Sequence, residues 1–272
     1  MIPRVKSGRL RIDDIRTSLA ANRIGARVEF VETTSSTNDL ARSRSKDPDA
    51  DGLVVLTDYQ SAGRGRLGRS WHSPRGASLL CSVVLREESP DWHGGQLALL
   101  AGIAARDAVM HVTDVTPSIK WPNDLIVGKR KLGGILVESD RCDGVTVFVI
   151  GIGINCLQQD AHLPETLADR ATSLEIEGHR PVDRTDVTIA LLSELNRHLL
   201  DETWSSADKL RAEWLARAQP LGGRVTLQHR GKIFGGTMID VDPAAALIVQ
   251  LDEGGVRAFN AADTTMTDYQ TS

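Results

Sequence analysis

Gln60-Ser-Ala-Gly63-Arg-Gly65-Arg-Leu-Gly68-Arg-Ser-Trp71 is the stretch on which the reading of the fold turns. Gly63, Gly65 and Gly68 have the G-x-G-x-x-G spacing of a dinucleotide fingerprint, and Arg69-Ser70 brings the run within one residue of a phosphate loop. Both motifs hold phosphate at the N-terminus of a helix that starts at the loop. Here the chain continues His72-Ser-Pro-Arg-Gly76 and then the apolar run Ser78–Leu85, which is a strand pattern. Neither a dinucleotide fold nor a P-loop fold is expected. What remains is chemistry. Three glycines let backbone approach a ligand closely, and Arg64, Arg66 and Arg69 supply forked, permanently charged donors. The stretch reads as a mobile loop that orders over a phosphate-bearing ligand. A solvated surface loop, or an Arg-Gly tether for nucleic acid, fits its composition as well.

Outward from this loop, Leu53–Thr57 is a short strand before it and Ser78–Leu85 a buried strand after it. Upstream lie a helix over Ile12–Ala21, a strand over Val28–Val31, and a helix from Ser36 to Arg44. Ser36 would be that helix's N-cap, with Asp39 three positions on. Asp47-Pro-Asp49-Ala-Asp51-Gly52 imitates a calcium loop, but a strand rather than a helix follows it, so it reads as a turn. Downstream, Gly95–Val112 is apolar almost all round and belongs to a central helix. Ile119–Trp121, Leu125–Val127, Gly134–Glu138 and Thr146–Ile150 read as strands, and Thr185–Leu200 and Ser206–Ala218 as helices. Pro220-Leu-Gly-Gly223 breaks the pattern. Short strands then follow at Val225–His229, Lys232–Ile239, Ala246–Leu251 and Val256–Phe259. The fold class is α+β, with a mixed-sheet domain with flanking helices over 1–219 and a small β-barrel over 220–272.

At 272 residues, with 41% hydrophobic and 25% charged residues, the chain has ordinary globular usage, which excludes disorder and fibrous architectures. A net charge of −4 rules out a global polycation, so any attraction for anions is local. The N-terminus lacks the apolar run of a signal peptide, and nowhere do about 18 apolar residues run together to span a membrane. Three cysteines with no C-x-x-C spacing (Cys81, Cys142, Cys156) read as reduced thiols, hence a cytoplasmic protein. Seven histidines are scattered without H-E-x-x-H, and no G-x-S-x-G occurs, so zinc catalysis and serine hydrolysis have no support.

Lysine is scarce, seven against twenty-five arginines, yet Lys120, Lys129 and Lys131 fall within one short segment, Lys120 to Gly134. It reads as strand, Pro-Asn-Asp turn, strand, Gly-Lys-Arg turn, strand. A chain that otherwise uses arginine keeps lysine where a compact charge faces a carboxylate or phosphate. Asn123 and Asp124 suit a turn, and Asp124 is also a reasonable magnesium ligand. Gly151-Ile-Gly153-Ile-Asn155 ends an apolar strand. Two glycines on one strand face weaken a sheet unless something must come close, with a β-bulge as the plainer explanation.

Ser36-Thr-Asn38, Gln60 to Trp71, Lys120-Trp-Pro-Asn-Asp124, Lys131-Leu-Gly-Gly-Ile-Leu-Val-Glu138 and Gly151-Ile-Gly-Ile-Asn155 together, in this order, resemble the biotin–protein ligases. The resemblance implies a class II synthetase-like catalytic domain followed by an SH3-like β domain. It implies an ATP-dependent ligase that forms biotinyl-5′-AMP and then biotinylates a lysine of a biotin carboxyl carrier domain, such as that of acetyl-CoA carboxylase. ATP and biotin are the substrates and Mg²⁺ the metal. By the same resemblance Ser36, Thr37, Asn38, Gln60, Gly63, Arg64, Gly65, Arg66 and Lys131 hold biotin. Arg66, Arg69, Trp71, Lys120, Asn123 and Asn155 hold ATP. Lys131, Arg66 and Asp124 are catalytic, with Asp124 serving the metal or deprotonating the incoming lysine. Leu67 stands where the family often has a further arginine, and Gly134 where it often has alanine. Fewer than forty residues precede Ser36, so the monofunctional type is expected, without DNA binding or membrane attachment, as a monomer or weak homodimer. A lipoate– or octanoate–protein ligase shares this fold but not the Arg-Gly loop. An RNA-binding module is disfavoured by the acidic net charge and the few aromatics.

Overall fold

Strands that are apolar on both faces belong inside a covered sheet, and the two longest such runs lie side by side at its centre. The computed structural model describes residues 8–87, 92–160, 165–242 and 244–271; most of the amino-terminal stretch read above as no leader lies outside them. In chain order the elements are α1 (Ile12–Leu19), β1 (Val28–Val31), α2 (Thr37–Arg44), β2 (Val54–Thr57), β3 (Ser78–Glu87), α3 (Gly94–Val112), β4 (Ser118–Lys120), β5 (Asp124–Val127), β6 (Arg130–Cys142), β7 (Val145–Asn155), α4 (Glu165–Ala168), α5 (Leu174–Gly178), α6 (Arg184–Leu200) and α7 (Ala207–Leu215). They are followed by β8 (Arg224–His229), β9 (Lys232–Val241), β10 (Leu247–Leu251), β11 (Val256–Phe259) and β12 (Thr264–Gln270). The first sheet has the order β1-β2-β3-β7-β6-β5-β4. β1 and β2 are parallel and every other neighbour is antiparallel, so the sheet is mixed.

The all-round apolar α3 is buried along most of its length against α6 and the sheet, which is why it lacks a polar face. On the sheet's other face, Ala41 of α2 packs with Val55, Val84, Val147 and Val149. None of the described helices is long and apolar enough to cross a membrane. Burial pushes the Cys81 and Cys156 thiols up to about 12, so both are unreactive near neutral pH.

Several boundaries move. The strands expected at 134–138 and 146–150 are the buried centres of a longer hairpin, β6–β7, whose outer residues are polar and exposed. The hairpin closes over Asp143 and Gly144, both left-handed at φ 52° and 84°. Two short helices, α4 and α5, lie in a stretch where no element is expected from the sequence. Ser36 precedes α2 as expected, but its side chain makes no capping hydrogen bond, and Asp39 binds Arg64 instead. The calcium-like stretch is a 3₁₀ turn, with the Asp47 side chain accepting from the Asp49 N–H at 3.0 Å.

The second sheet is antiparallel throughout, ordered β11-β10-β9-β8-β12, consistent with an SH3-like module. Its closing strand β12 escapes a sequence reading because Thr264-Thr-Met-Thr-Asp-Tyr-Gln is polar except at Met266 and Tyr269. A sheet of this size buries little core alone. Here Leu227, Met238, Leu247, Phe259 and Met266 run without a break into the main core. The Trp121 indole N–H donates to the Ala245 carbonyl at 2.9 Å, and Arg211 pairs with Asp240 at 2.5 Å. At Gly95, where α3 begins, an added Cβ would sit 2.2 Å from the Ala244 carbonyl oxygen, so only glycine admits this turn of the second sheet.

On α6, His198 is fully buried, 3.9 Å from the Trp204 ring and 3.6 Å from Glu194. Burial, reinforced by Arg197, pushes its pKa down from 6.5 to about 4. The folded state therefore holds the neutral ring, while the unfolded state takes up a proton from pH 6.5 downward. Stability is lost as pH falls from 6.5 through 4, by as much as about 3 kcal/mol. Urea unfolding at pH 7 and pH 4.5 should show this drop, and His198→Gln should shrink it; equal drops in both proteins would remove His198 as the cause.

Candidate active site

The described residues enclose a cavity of about 140 Å³ between the Arg-Gly loop, the first sheet and β12. That is roughly ten times the space one water needs, more than a packing defect leaves. It is built around two bare positions on β7. A Cβ at Gly151 would lie 2.2 Å from Asn38 Oδ1, and one at Gly153 would lie 2.8 Å from the Trp71 ring. The close approach that the two glycines imply is made by Asn38 and Trp71. Asn155, two residues beyond Gly153, does not make it.

At the Gly151 end the lining is polar and, apart from Arg64, which is paired with Asp39, uncharged. Ser36, Thr37 and Asn38, at the start of α2, are all buried. Gln60 Oε1 accepts from the Thr37 N–H at 2.7 Å and from its hydroxyl at 3.1 Å. Ser82 donates to Asn38 Oδ1 at 2.6 Å, while Asn38 Nδ2 donates to Glu138 at 2.7 Å. Leu80, opposite Gly153 on β3, adds an apolar surface.

At the Gly153 end the charge is positive. Lys131 Nζ lies 5.6 Å from the centroid of the Trp71 ring and 2.6 Å from Asp124 Oδ1. Between β5 and β6 the register shifts so that Leu125 faces Gly133 and Ile126 faces Lys131, leaving Leu132 as the extra residue of a bulge. Bulges re-aim side chains, and this one buries Leu132 while Lys131 lines the cavity. The Lys131 backbone is fixed besides: its N–H donates to the Arg170 carbonyl at 2.8 Å and its carbonyl accepts from the Thr172 N–H at 2.9 Å. Lys120 is half-buried; desolvation pulls its ammonium below the usual value and Asp124 pulls it back up. Asp124 is the one carboxylate among the described residues that line the cavity.

The Arg-Gly loop is a closed hairpin, with Arg64 and Ser70 paired across it. Arg64 grips Asp39 with two bonds of 2.6 Å, holding that carboxyl below the usual carboxylate range. Arg66 turns inward, donating to Asn123 Oδ1 at 3.2 Å and to the Thr264 carbonyl at 3.1 Å. Its burial lowers the guanidinium pKa, against the pull of Asp124. Arg69 donates to the Thr265 hydroxyl at 3.0 Å. Gly63 lies at the base of the hairpin, where its carbonyl accepts from the Trp71 N–H at 2.9 Å.

Of the residues singled out in the sequence, Ser36, Thr37, Asn38, Gln60, Arg64, Gly65, Arg66, Arg69, Trp71, Lys120, Asn123, Asp124 and Lys131 line this one cavity. Gly63 and Asn155 do not. The Asn155 side chain is held in a buried network, accepting from Ser78 and Gln158 at 3.2 and 2.9 Å and donating to the Thr172 carbonyl at 2.9 Å. Thr265 and Met266 of β12 line the cavity without any signal in the sequence, because nothing local ties them to the loop.

The signature of the biotin/lipoate A/B protein ligase family matches residues 30–155. A biotin–[acetyl-CoA-carboxylase] ligase of Mycobacterium tuberculosis is 35% identical over 91% of this chain and 93% of its own length. The bifunctional ligase/repressor BirA of Bacillus subtilis is 30% identical over 94% of this chain and 79% of its own length. Among solved structures, biotin protein ligase from Aquifex aeolicus in complex with biotin and ATP is similar at TM-score 0.75 and 25% identity, over 90% of this chain and 99% of that one.

The bare position at Gly151 is directly testable. In Gly151→Ala the new methyl overlaps an Asn38 amide that Ser82 and Glu138 already hold, so the variant should lose about 1–3 kcal/mol, the usual range for overpacking. Denaturant unfolding measures this, and a change under about 0.5 kcal/mol would show that Asn38 yields freely.

Proposed function

The chain belongs to the biotin/lipoate A/B protein ligase family, and we infer from its cleft how it works as an ATP-dependent biotin–protein ligase. The enzyme joins biotin to ATP as biotinyl-5′-AMP and then transfers the biotinyl group to a lysine of a carboxylase's carrier domain. The observation that carries this reading is the separation of charge along one cleft. Neutral amides and hydroxyls stand at the Asn38 end, with Arg64 there already paired to Asp39 and near Glu138, and Lys120, Lys131 and Arg66 surround a single carboxylate at the other. Biotin has the matching polarity, with a neutral ureido ring at one end and a carboxylate at the other.

In this reading Ser36, Thr37, Asn38 and Gln60 bind the ureido ring, whose donors and acceptors need buried partners. Lys131 draws the biotin carboxylate and the α-phosphate together, and the carboxylate oxygen then displaces pyrophosphate. Such transfers rest on positioning and charge neutralisation. Arg66 grips the α-phosphate, with Asn123 orienting its guanidinium, while Arg69 and Lys120 face the nucleotide. Asp124 is suited to a magnesium site of one carboxylate completed by substrate phosphates, since no second carboxylate lines the cavity among the described residues. The metal would neutralise phosphate charge. Asp124 equally holds Lys131 in place, and the same carboxylate can accept the proton of the incoming lysine. Residues 220–272 form the unit that completes the cleft through Thr264, Thr265 and Met266.

The first step is tested by biotin-dependent exchange of pyrophosphate into ATP without acceptor protein. Lys131→Ala should lower exchange about a hundredfold, the order seen when one transition-state donor is lost. Its stability should change by under about 1 kcal/mol, because Lys131 is partly exposed and its ion pair with Asp124 is partly exposed too. Exchange within a few-fold of wild type would take Lys131 out of the chemistry.

Retention of the adenylate is tested at Arg66. A charge-assisted hydrogen bond is worth about 1.5–3 kcal/mol, so Arg66→Gly should release biotinyl-5′-AMP roughly ten- to a hundredfold faster. With biotin, ATP and serum albumin in the tube, the variant should biotinylate albumin where wild type does not. A variant that makes adenylate yet labels albumin no more than wild type would mean that Arg66 is no clamp.

A further inference from the structure

The tip of the Arg-Gly hairpin is folded against the preference of one of its residues. Gly65 N–H donates to the Arg69 carbonyl at 2.7 Å, and Arg69 N–H to the Arg66 carbonyl at 3.2 Å. The chain reverses over Arg66-Leu67-Gly68-Arg69 with Leu67 at φ 55°, ψ 37° and Gly68 at φ 73°. Two left-handed central residues make this a type I′ turn, which suits the twist of a hairpin and ordinarily takes Asn, Asp or Gly at its first central position. Leucine is disfavoured there, because in the left-handed region its Cβ crowds the following carbonyl. Little packing offsets the strain, since Leu67 is 54% exposed.

This tip joins the two legs that carry the arginines. Arg64, Arg66 and Arg69 reach three different walls, at Asp39, at Asn123 with the Thr264 carbonyl, and at Thr265. Opening the turn frees Arg66 and Arg69, the two residues that bound it. A site whose competent form is only partly populated binds with an affinity reduced by that fraction. We propose that Leu67 is a positioning residue: the strain at its left-handed backbone sets how often the clamp is closed before ligand arrives, and through that the affinity for biotin. The ligand's identity rests on the ligase reading; the strain does not.

Three variants separate backbone from side chain. Leu67→Asn relieves the left-handed strain. Leu67→Ala removes the apolar side chain but keeps the Cβ. Leu67→Pro fixes φ near −65° and forbids the closed turn. Limited trypsin digestion of the ligand-free chain, followed at the bonds after Arg64 and Arg69 that all variants share, reports opening. Biotin titration by calorimetry reports the coupling. Leu67→Asn should be cut about fivefold more slowly and bind biotin more tightly by up to the same factor, the order expected for relieving one left-handed leucine. Leu67→Ala, which like Leu67→Asn loses a side chain that lines the cavity, should be cut like wild type and is the reference for the biotin affinity of Leu67→Asn, and Leu67→Pro should be cut faster and bind more weakly. If Asn and Ala variants are cut alike, the strain is overturned. If Leu67→Asn resists trypsin but binds biotin no better than Leu67→Ala, its coupling to the site is overturned. Wild type that binds no biotin sinks the ligase reading instead, and digestion still decides the turn.

Discussion

The cleft depends on strand β7 carrying no side chain at two places on one face. Asn38 and Trp71 occupy the room left at Gly151 and Gly153, and the rest of the site is arranged from them. Asn38 ties the start of α2 to Ser82 on β3 and Glu138 on β6, so three elements meet at one amide. Trp71 brings the end of the Arg-Gly hairpin onto the sheet and gives Lys131 a ring to lie over. Glycine inside a strand weakens it. The sheet tolerates two because β7 sits between β3 and β6, its most extensively paired neighbours.

The electrostatics are equally local. With a net charge of −4 the chain as a whole does not attract polyanions, yet Arg66, Lys120 and Lys131 share one half of the cavity with Asp124 alone. Arg64 is held by a carboxylate, but Arg66 and Arg69 rest on an amide oxygen, a carbonyl and a hydroxyl. These neutral acceptors form weaker bonds to a guanidinium than an ionised oxygen does. Both guanidiniums therefore rest on acceptors that an ionised oxygen would displace.

Much of this is legible in the sequence because it depends on local pattern. Apolar runs mark β2, β3 and β7, an all-round apolar stretch marks α3, and the Pro-Gly break precedes the second sheet. The lysine segment is a three-strand meander as read, and the ordered motifs gather almost all their polar residues at one cavity. The rest follows from packing between distant segments. β12 is a polar edge whose strand character comes from pairing with β8. The bulge at Leu132 that turns Lys131 into the cavity is a matter of register, set by β5. Asn155 lies two residues beyond Gly153, but Ser78, Gln158 and Thr172 hold its side chain. A glycine pair announces that something approaches; the sequence does not say which residue.

The contact between Arg66 and the Thr264 carbonyl spans 198 residues, and this separation bears on how the protein is born. A chain made from its N-terminus can complete the first sheet and α3 while later segments are still being synthesised. The cleft cannot close at that stage, because Thr264, Thr265 and Met266 have not emerged from the ribosome. Until then the arginines lack their far wall and Trp121 lacks the Ala245 carbonyl that satisfies its indole. Contacts this far apart form late in folding, since the entropy of closing so long a loop must be met first. A nascent chain thus lacks one wall of its cleft until β12 is made.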